Sequence, residues 1–331
     1  MEYTLHHPDA EVLVKDTDSN KKRIEVTLKN KNIFMPLGYC ETTYPIDLIK
    51  KILEVKGPAW LCDDITREES SEYLEMEIYW NVFSYVNKEQ FKHKRILDFG
   101  CGSGTSAMVL NRLLPDTSII GVDLESNLLK IAELRANHYK NDDKIKFYLS
   151  PDGNSLPEDI GDFDFIFLSA VYEHLLPQER KVVLPLLWSR LKSRGVLFIN
   201  QTPYRWFPVE LHTTSGLIFI NYMPDFLASF YARHFSKRNL RKDDWSSLLR
   251  KGIRGGSVEE IFKILKNQSP PPILLEPSQF GLKDTIDIFY AVTPKSRYPI
   301  MKKFYFYFVK LVKISTGQIL LPDLSLAIEK I

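Results

Sequence analysis

Cysteine is scarce in this chain, with three residues (Cys40, Cys62 and Cys101) in 331. Their number is odd and their spacing matches no metal-ligand pattern. A disulfide framework and a thiolate metal site are therefore excluded, and a reducing cytoplasm is the expected setting. An excess of one charge is also missing. Lys and Arg total 44 against 42 Asp and Glu, a formal net charge of +2, which does not favour a generic nucleic-acid binder. No apolar run reaches the ~20 residues that span a bilayer, because the best candidate, 216–232, is broken by Asn221, Pro224 and Asp225. The polar, acidic start Met1-Glu-Tyr-Thr-Leu-His-His-Pro-Asp-Ala10 does not read as a signal peptide. Internal repeats and low-complexity segments are absent as well. What the chain does have is apolar content, 44%, ample for a large core.

Glycine is sparse too, at 15 residues, yet three of them fall together in Arg95-Ile-Leu-Asp-Phe-Gly-Cys-Gly-Ser-Gly-Thr105. The spacing predicts a buried strand over 94–99 that ends on Asp98, a turn through Gly100, Gly102 and Gly104, and a helix over 104–114. Such an abrupt strand-to-helix turn needs backbone angles that glycine adopts without strain. It also brings N–H groups close to a ligand at the positive end of the new helix. A second strand, 118–123, ends on another acid, Asp123. A ligand seat at the carboxyl edge of a parallel sheet follows. A dinucleotide fold wants G-x-G-x-x-G, whereas here the spacing is G-x-G-x-G with Thr105 at the third position. Asp98 would repel a pyrophosphate but suits an ammonium, and Asp123 can accept both hydroxyls of a ribose. Cys101 reads as a small residue tolerated in the turn, since nothing basic adjoins it to make it a nucleophile.

The run Arg95–Thr105 followed by Gly121-Val-Asp-Leu124 resembles the first two motifs of the class I S-adenosylmethionine-dependent methyltransferases. The resemblance implies an α/β, Rossmann-like sheet, mostly parallel with its last strand antiparallel, and S-adenosyl-L-methionine as cofactor. It implies a cofactor seat of Asp98, Gly100, Cys101, Gly102, Gly104, Asp123 and Leu124. After a third strand at 144–150, Asp152 resembles the acid that contacts the adenine amino group, with the Gly153 N–H nearby. After a fourth strand at 162–169, the segment Ala170-Val-Tyr-Glu-His-Leu175 resembles the next family motif and puts Ser169 beside the methionine half. A NAD-dependent oxidoreductase and a cofactor-binding scaffold without turnover are the rival readings.

Along the chain, 11–14 and 23–28 suggest a hairpin across 16–20. A helix starts at Tyr44-Pro45, carries Ile46, Leu48, Ile49, Ile52 and Leu53, and stops at Gly57-Pro58. A second helix is expected over 70–87, with Tyr73, Met76, Trp80 and Phe83 as its core-facing stripe. In the resembling family such helices often close over the cofactor. Helices over 126–140 and 178–192 and a fifth strand at 195–200 complete the βαβ units. The next strand candidates are 287–292 and 324–328, with Pro270–Pro272 a stiff linker. Four parts result: N-terminal helices and extension 1–90, cofactor core 91–202, an inserted cap 203–284, and 285–331 completing the sheet.

Methyl transfer asks the protein to align an acceptor, exclude water and, for an alcohol, take a proton. Histidine suits the last task. Of seven histidines, His6 and His7 are expected in a disordered terminus and His93 and His138 on outer segments, and His234 lies in the cap. His174, at the mouth of strand four, and His212, just beyond strand five, are the catalytic candidates. The stretch Thr202-Pro-Tyr-Arg-Trp-Phe-Pro-Val-Glu-Leu-His-Thr-Thr214 resembles a segment of bacterial methyltransferases linked to surface-polysaccharide or lipid-linked sugar modification. That resemblance extends to 60–69 and the end of the cap, but Ser215-Gly-Leu-Ile218 stands where a Gly-Leu-Pro is expected. It implies a small-molecule or lipid-linked sugar acceptor. The cap cations Arg233, Lys237, Arg238, Arg241, Lys242, Arg250, Lys251 and Arg254 read as a solvated face or as a clamp for an anionic acceptor. The aromatic and lysine-rich stretch 302–313 reads as a core-packed helix or as a peripheral membrane contact. No metal is expected, because Asp63-Asp64 and Asp142-Asp143 read as surface loops.

Overall fold

The computed structural model describes residues 2–18, 20–30, 33–212, 216–292 and 299–331. The chain opens with an antiparallel sheet of β1 (Glu2–His7), β2 (Ala10–Asp16), β3 (Lys22–Leu28) and β4 (Tyr39–Thr42), in that order. The hairpin read at 11–28 is β2–β3, paired from Ala10↔Leu28 to Asp16↔Lys22. His6 and His7 are not disordered: they lie in β1, paired with Glu11 and Ala10. One face of this sheet (Val12, Val14, Ile24, Val26, Cys40) packs on α1 (Ile46–Lys56) and α2 (Pro58–Glu69).

Gly57 ends α1 and precedes Pro58, which begins α2. A backbone φ of 78° at Gly57 reverses the chain, and Pro58 supplies the preset φ of a first helical position. The single helix expected over 70–87 is instead a π-turn over Ser71–Glu75, kinked at Tyr73 (φ −117°, ψ −112°), and then α3 (Met76–Phe83). The kink resets the buried face. Leu74, Ile78, Val82 and Phe83 are buried, whereas Tyr73 and Tyr79 are exposed. Of the expected stripe, Phe83 is buried and Trp80 packs against the same core, whereas Tyr73, at the kink, faces outward.

The central sheet runs through β5 (Arg95–Phe99), α4 (Thr105–Leu113), β6 (Ser118–Asp123), α5 (Ser126–His138), β7 (Ile145–Leu149), β8 (Phe163–Ser169), α6 (Pro177–Arg190) and β9 (Leu191–Pro203). The cap follows with β10 (Val209–Glu210), β11 (Leu217–Ile218), α7 (Asp225–Phe235) and α8 (Trp245–Arg250). The chain then adds α9 (Val258–Leu265), β12 (Pro272–Leu274), α10 (Thr285–Val292), α11 (Pro299–Thr316) and β13 (Asp323–Lys330). The strand order is β12-β13-β9-β8-β5-β6-β7, with β5 to β9 parallel and β13 antiparallel to β9. This is the Rossmann-like arrangement expected from the motifs. Successive side chains serve opposite faces. Leu97, Ile166, Leu168, Leu197 and Ile199 join α6 and α9 on one side. Ile96, Phe165, Phe167 and Phe198 join α3 and α4 on the other.

The expected strand at 287–292 is helix α10. A short apolar run suits either structure, and the deciding signal is a cap. Asp284 Oδ1 accepts the N–H groups of Ile286 and Asp287, each at 3.1 Å. The second antiparallel strand is β12 instead, cut from the stretch read as a linker. Its Pro272 sits on the outer strand of the sheet, where a missing N–H costs nothing. Within 203–284, α9 packs on α6 and β12 pairs with β13, while Ile220, Ala228, Ala232, Leu240, Leu248 and Ile253 form a separate small core.

One buried cation joins the N-terminal layer to the glycine turn. Arg135, on α5, is fully buried. It pairs with Asp64 Oδ2 at 2.6 Å, donates to the Ser103 carbonyl at 2.8 Å, and reaches the Tyr44 hydroxyl at 3.0 Å. Burial opposes the charge of Asp64, but Arg135 and Lys56 outweigh it and hold the carboxyl below its usual range. Asp63-Asp64 therefore lies in α2, buried, rather than in a surface loop. Replacing Arg135 by Ala leaves Asp64 buried without its partner, and a loss of about 3–5 kcal/mol is expected. Urea denaturation of the ligand-free protein checks this, and a loss below about 1 kcal/mol, the scale of an exposed pair, would contradict the role.

Candidate cofactor and acceptor site

The turn after β5 is built as the spacing required. Gly100, Gly102 and Gly104 all have positive φ, at 74°, 53° and 79°. Two of them are pinned by packing: an added Cβ would lie 2.6 Å from Val171 at Gly100 and 2.7 Å from Ala132 at Gly104. At Gly102 the same Cβ would meet nothing within 4 Å, so this glycine keeps open space free. The N–H groups of Gly100 and Cys101 are taken by the Val122 carbonyl, at 2.8 and 3.1 Å. The Gly102 N–H donates to Asp123 Oδ2 at 2.8 Å, and the Glu125 N–H donates to Oδ1 at 2.9 Å. The Asp123 carboxylate is thus fixed at the end of β6 with lone pairs to spare for hydroxyl groups. Burial raises the Cys101 thiol well above its ordinary range, in keeping with a packed residue and not a nucleophile.

Two cavities meet at this turn, sharing Gly100 and Ala170. One, of about 270 Å³, is lined by Asp123, Leu124, Asp152, Gly153, Val171 and His174 among others. The second, of about 310 Å³, lies under α2 and includes Trp60, Asp63, Arg67, Gly102, Ser169 and Gln201 in its wall. Nearly all the sequence-derived cofactor residues line one or other cavity. The exceptions are Gly104, packed against Ala132, and Asp98, 1% exposed, which lies behind Ser106 and accepts its hydroxyl at 2.5 Å. Ser106 is on the wall of the second cavity. Asp152 is exposed and caps its own turn, accepting from the Asn154 N–H at 2.7 Å and the Ser155 hydroxyl at 2.8 Å. These hydrogen bonds hold its carboxyl below the usual range.

Sequence reasoning missed several wall residues. The helix that contributes most to the closure over the turn is α2, through Trp60, Asp63, Asp64 and Arg67, joined by Lys56 at the end of α1, while the expected 73–80 segment contributes Leu74. Ala170 and Gln201 have φ values of 56° and 57°, a left-handed conformation uncommon for such residues and often found at functional sites. Nothing in the sequence marks that strain.

The two histidine candidates come together, with ring centroids 5.4 Å apart. His174 sits in the short 3-10 turn after β8, and His212 follows β10. The 213–215 part of that loop lies outside the described residues. The end of α8 holds both rings. The His174 Nδ1 lies 2.7 Å from the Arg250 carbonyl. A Cβ on Gly252 would come within 2.8 Å of the His212 ring. Burial pushes the His174 imidazole down, against the hydrogen bond to Arg250. Burial, reinforced by His174, Arg238 and Arg67, pushes His212 down to about 4. Glu173, assigned no role from sequence, completes the group. Its carboxyl is fully buried, pushed up to about 7 by desolvation, and accepts the Thr202 hydroxyl at 3.0 Å.

Three of the cap cations have local work. Arg254 is buried and satisfied by the carbonyls of Ile220, Asn221 and Met223 and by Asp225. Arg250 pairs with Glu179, and Lys251 with Asp243. Along α11, Lys310 and Lys313 are held by Asp284. Ile300, Phe304, Leu311 and Ile314 project outward, at 63–84% exposure. Among the described residues, no helix is long and apolar enough to cross a membrane.

The Asp98 carboxyl carries a testable consequence. Burial, with Asp123 nearby and only Ser106 opposing, lifts it from 3.8 to about 7. A carboxyl whose folded value is raised stabilises the fold below its unfolded value, and that contribution is lost as pH climbs through the folded value. The ligand-free protein should therefore lose on the order of 4 kcal/mol from this group between about pH 4 and pH 8. Asp98→Asn should remove that share, so the variant becomes the more stable of the two at pH 8. Thermal melts of both proteins from pH 5 to pH 8 check it, and parallel curves would contradict the assignment.

Residues 96–195 match the family model described as "Methyltransferase domain". The ubiquinone biosynthesis O-methyltransferase of Saccharomyces cerevisiae mitochondria is 30% identical over 190 residues, covering 56% of this chain and 51% of that protein. The carboxy-S-adenosyl-L-methionine synthase of Photobacterium profundum is 24% identical over 129 residues, covering 37% and 52%. The chain spans about half the length of these curated relatives. An O-methyltransferase family protein from Burkholderia thailandensis is 12% identical with a TM-score of 0.42, over 67% of this chain and 57% of that one. With the strand order, glycine turn and strand-ending acids found here, residues 96–195 are a methyltransferase domain of the S-adenosylmethionine-dependent kind.

Proposed function

We propose that the whole chain is an S-adenosylmethionine-dependent methyltransferase whose acceptor is a small polar molecule, most simply a hydroxyl of a sugar or related metabolite. The observation that carries this is the convergence at one sheet edge. An open glycine turn bracketed by acids, two adjoining cavities and a Glu-His-His group all lie at the carboxyl ends of β5, β6, β8 and β9. On this reading Asp123 holds the ribose, Asp152 and Gly153 meet the adenine, Leu124 covers it, and Ser169 with the Ser106–Asp98 pair faces the amino acid end. S-adenosyl-L-methionine supplies an electrophilic methyl group, and the chain aligns an acceptor oxygen opposite it. The second cavity is polar along Lys56, Asp63, Arg67 and Gln201, which suits a hydroxyl-rich acceptor better than an apolar ring. Glu173, His174 and His212 stand where an acceptor proton must leave. The N-terminal helices and the cap within 203–284 choose the acceptor, as loops on a rigid scaffold commonly do.

The outward apolar stripe of α11, flanked by Lys303, favours a lipid-linked form of that acceptor met at a membrane surface. The test is transfer of isotope-labelled methyl from S-adenosylmethionine to polar-metabolite and lipid extracts, the latter presented in anionic vesicles. Label is expected in a neutral, alkali-stable ether on a sugar-containing product, with the protein floating alongside the vesicles. A well-folded protein that binds cofactor and labels nothing would leave a scaffold. Label confined to protein or nucleic acid would overturn the small acceptor, and absence of co-flotation would remove the membrane step.

A further inference from the structure

We propose that Glu173, His174 and His212 form a site for a divalent transition-metal ion, with zinc the best match. One ligand atom from each lies within 4.8 Å of the other two. The pair that matters most is already set: His174 Nε2 and Glu173 Oε1 are 3.7 Å apart. Ligand atoms at about 2.0–2.2 Å from one ion sit roughly 3.3–3.7 Å apart at tetrahedral to slightly open angles. His212 must move in by about an ångström to complete that geometry.

The hydrogen bonding around the group points the same way. The Arg250 carbonyl can only accept, so His174 Nδ1 carries the proton and donates to it at 2.7 Å. The lone pair is then on Nε2, facing Glu173. This is the arrangement in which a backbone carbonyl orients a metal-binding imidazole. Glu173 Oε2 is satisfied by Thr202, but Oε1 is a buried oxygen with no hydrogen-bond partner. A lone pair on Nε2 and another on a buried, unpartnered carboxylate oxygen cannot bond each other, and a cation between them satisfies both. Two imidazoles and one carboxylate are a borderline donor set, better suited to zinc than to magnesium or calcium. Three protein ligands leave a position for an exchangeable oxygen.

In its catalytic consequence the inference rests on the methyltransferase reading above. An acceptor hydroxyl bound at the open position gives its proton to solvent more readily. Its oxygen then forms the new O–CH3 bond as the CH3–S bond breaks, with the electron pair staying on sulfur as a neutral thioether. The metal site itself is tested without turnover.

Protein stripped by a chelator is titrated with zinc against a chromophoric competitor, and separately with cobalt. The wild type should take up one equivalent tightly and give the intense visible bands of four-coordinate cobalt. His174→Ala and His212→Ala should each weaken zinc at least tenfold and lose those bands, with their fold verified by circular dichroism. His138→Gln, remote from the group, should bind as the wild type does. No stoichiometric uptake, or uptake unchanged in both variants, overturns the site. Tight zinc binding with methyl transfer unaffected by the chelator overturns its role in the reaction. Tight binding in a protein that transfers no methyl group at all leaves the site standing and sinks the methyltransferase reading instead.

Discussion

The buried contact between Arg135 and Asp64 is the constraint on which the rest of the molecule depends. The glycine turn is a loop of the central sheet, whereas α2 belongs to the N-terminal layer, and few other polar contacts join them. Arg135 spans the gap, with one arm on the Ser103 carbonyl inside the turn and the other on Asp64. Ser103 Oγ also donates to Asp64 Oδ1 at 3.0 Å. Removing two charges from water is costly, and a buried pair earns little net stability. What it can confer is registry, since only one placement of α2 satisfies both ends. That placement sets Trp60, Asp63 and Arg67 around the open side of Gly102. A second polar cluster, Tyr44 and Tyr139 on Glu68, extends the same joint toward the outer face.

The cap is attached by a comparable device. The short turn after β8 and the end of α8 share the His174–Arg250 hydrogen bond, and Glu179 on α6 receives Arg250. The cofactor core thus carries two added layers, one on each side of the turn, each locked by buried or half-buried arginine chemistry. On the proposed function, substrate choice would lie in the layers and cofactor chemistry in the sheet, a division that lets one fold serve many acceptors.

Much of the core was legible in the sequence because strong, local rules governed it. Glycines with positive φ, acids closing strands and alternating buried residues fixed β5, α4, β6, β8 and the antiparallel β13 within a few residues. Where two rules competed, the reading failed. The run Thr285–Val292 is apolar enough for a strand, and only the Asp284 cap and the pairing of Lys310 and Lys313 to that acid make it a helix. Tyr73 looked like core because it is large, yet the kink at its own backbone turns it outward. The Glu173–His174–His212 group was only half visible. Its histidines were singled out one by one, but their meeting is made by the cap's return over β8, a tertiary event with no local signal. Glu173 drew no attention because a buried carboxylate cannot be told from an exposed one by sequence.

The central claim is that the open glycine turn, held against α2 by Arg135, seats S-adenosylmethionine. Titration calorimetry with S-adenosylhomocysteine on cooperatively folded protein tests it most directly. One site per chain is predicted, with binding lost when Gly102 is replaced by Leu, whose side chain would enter the free space beside that residue. Absence of binding by the wild type, or equal binding by the Gly102→Leu variant, would contradict it.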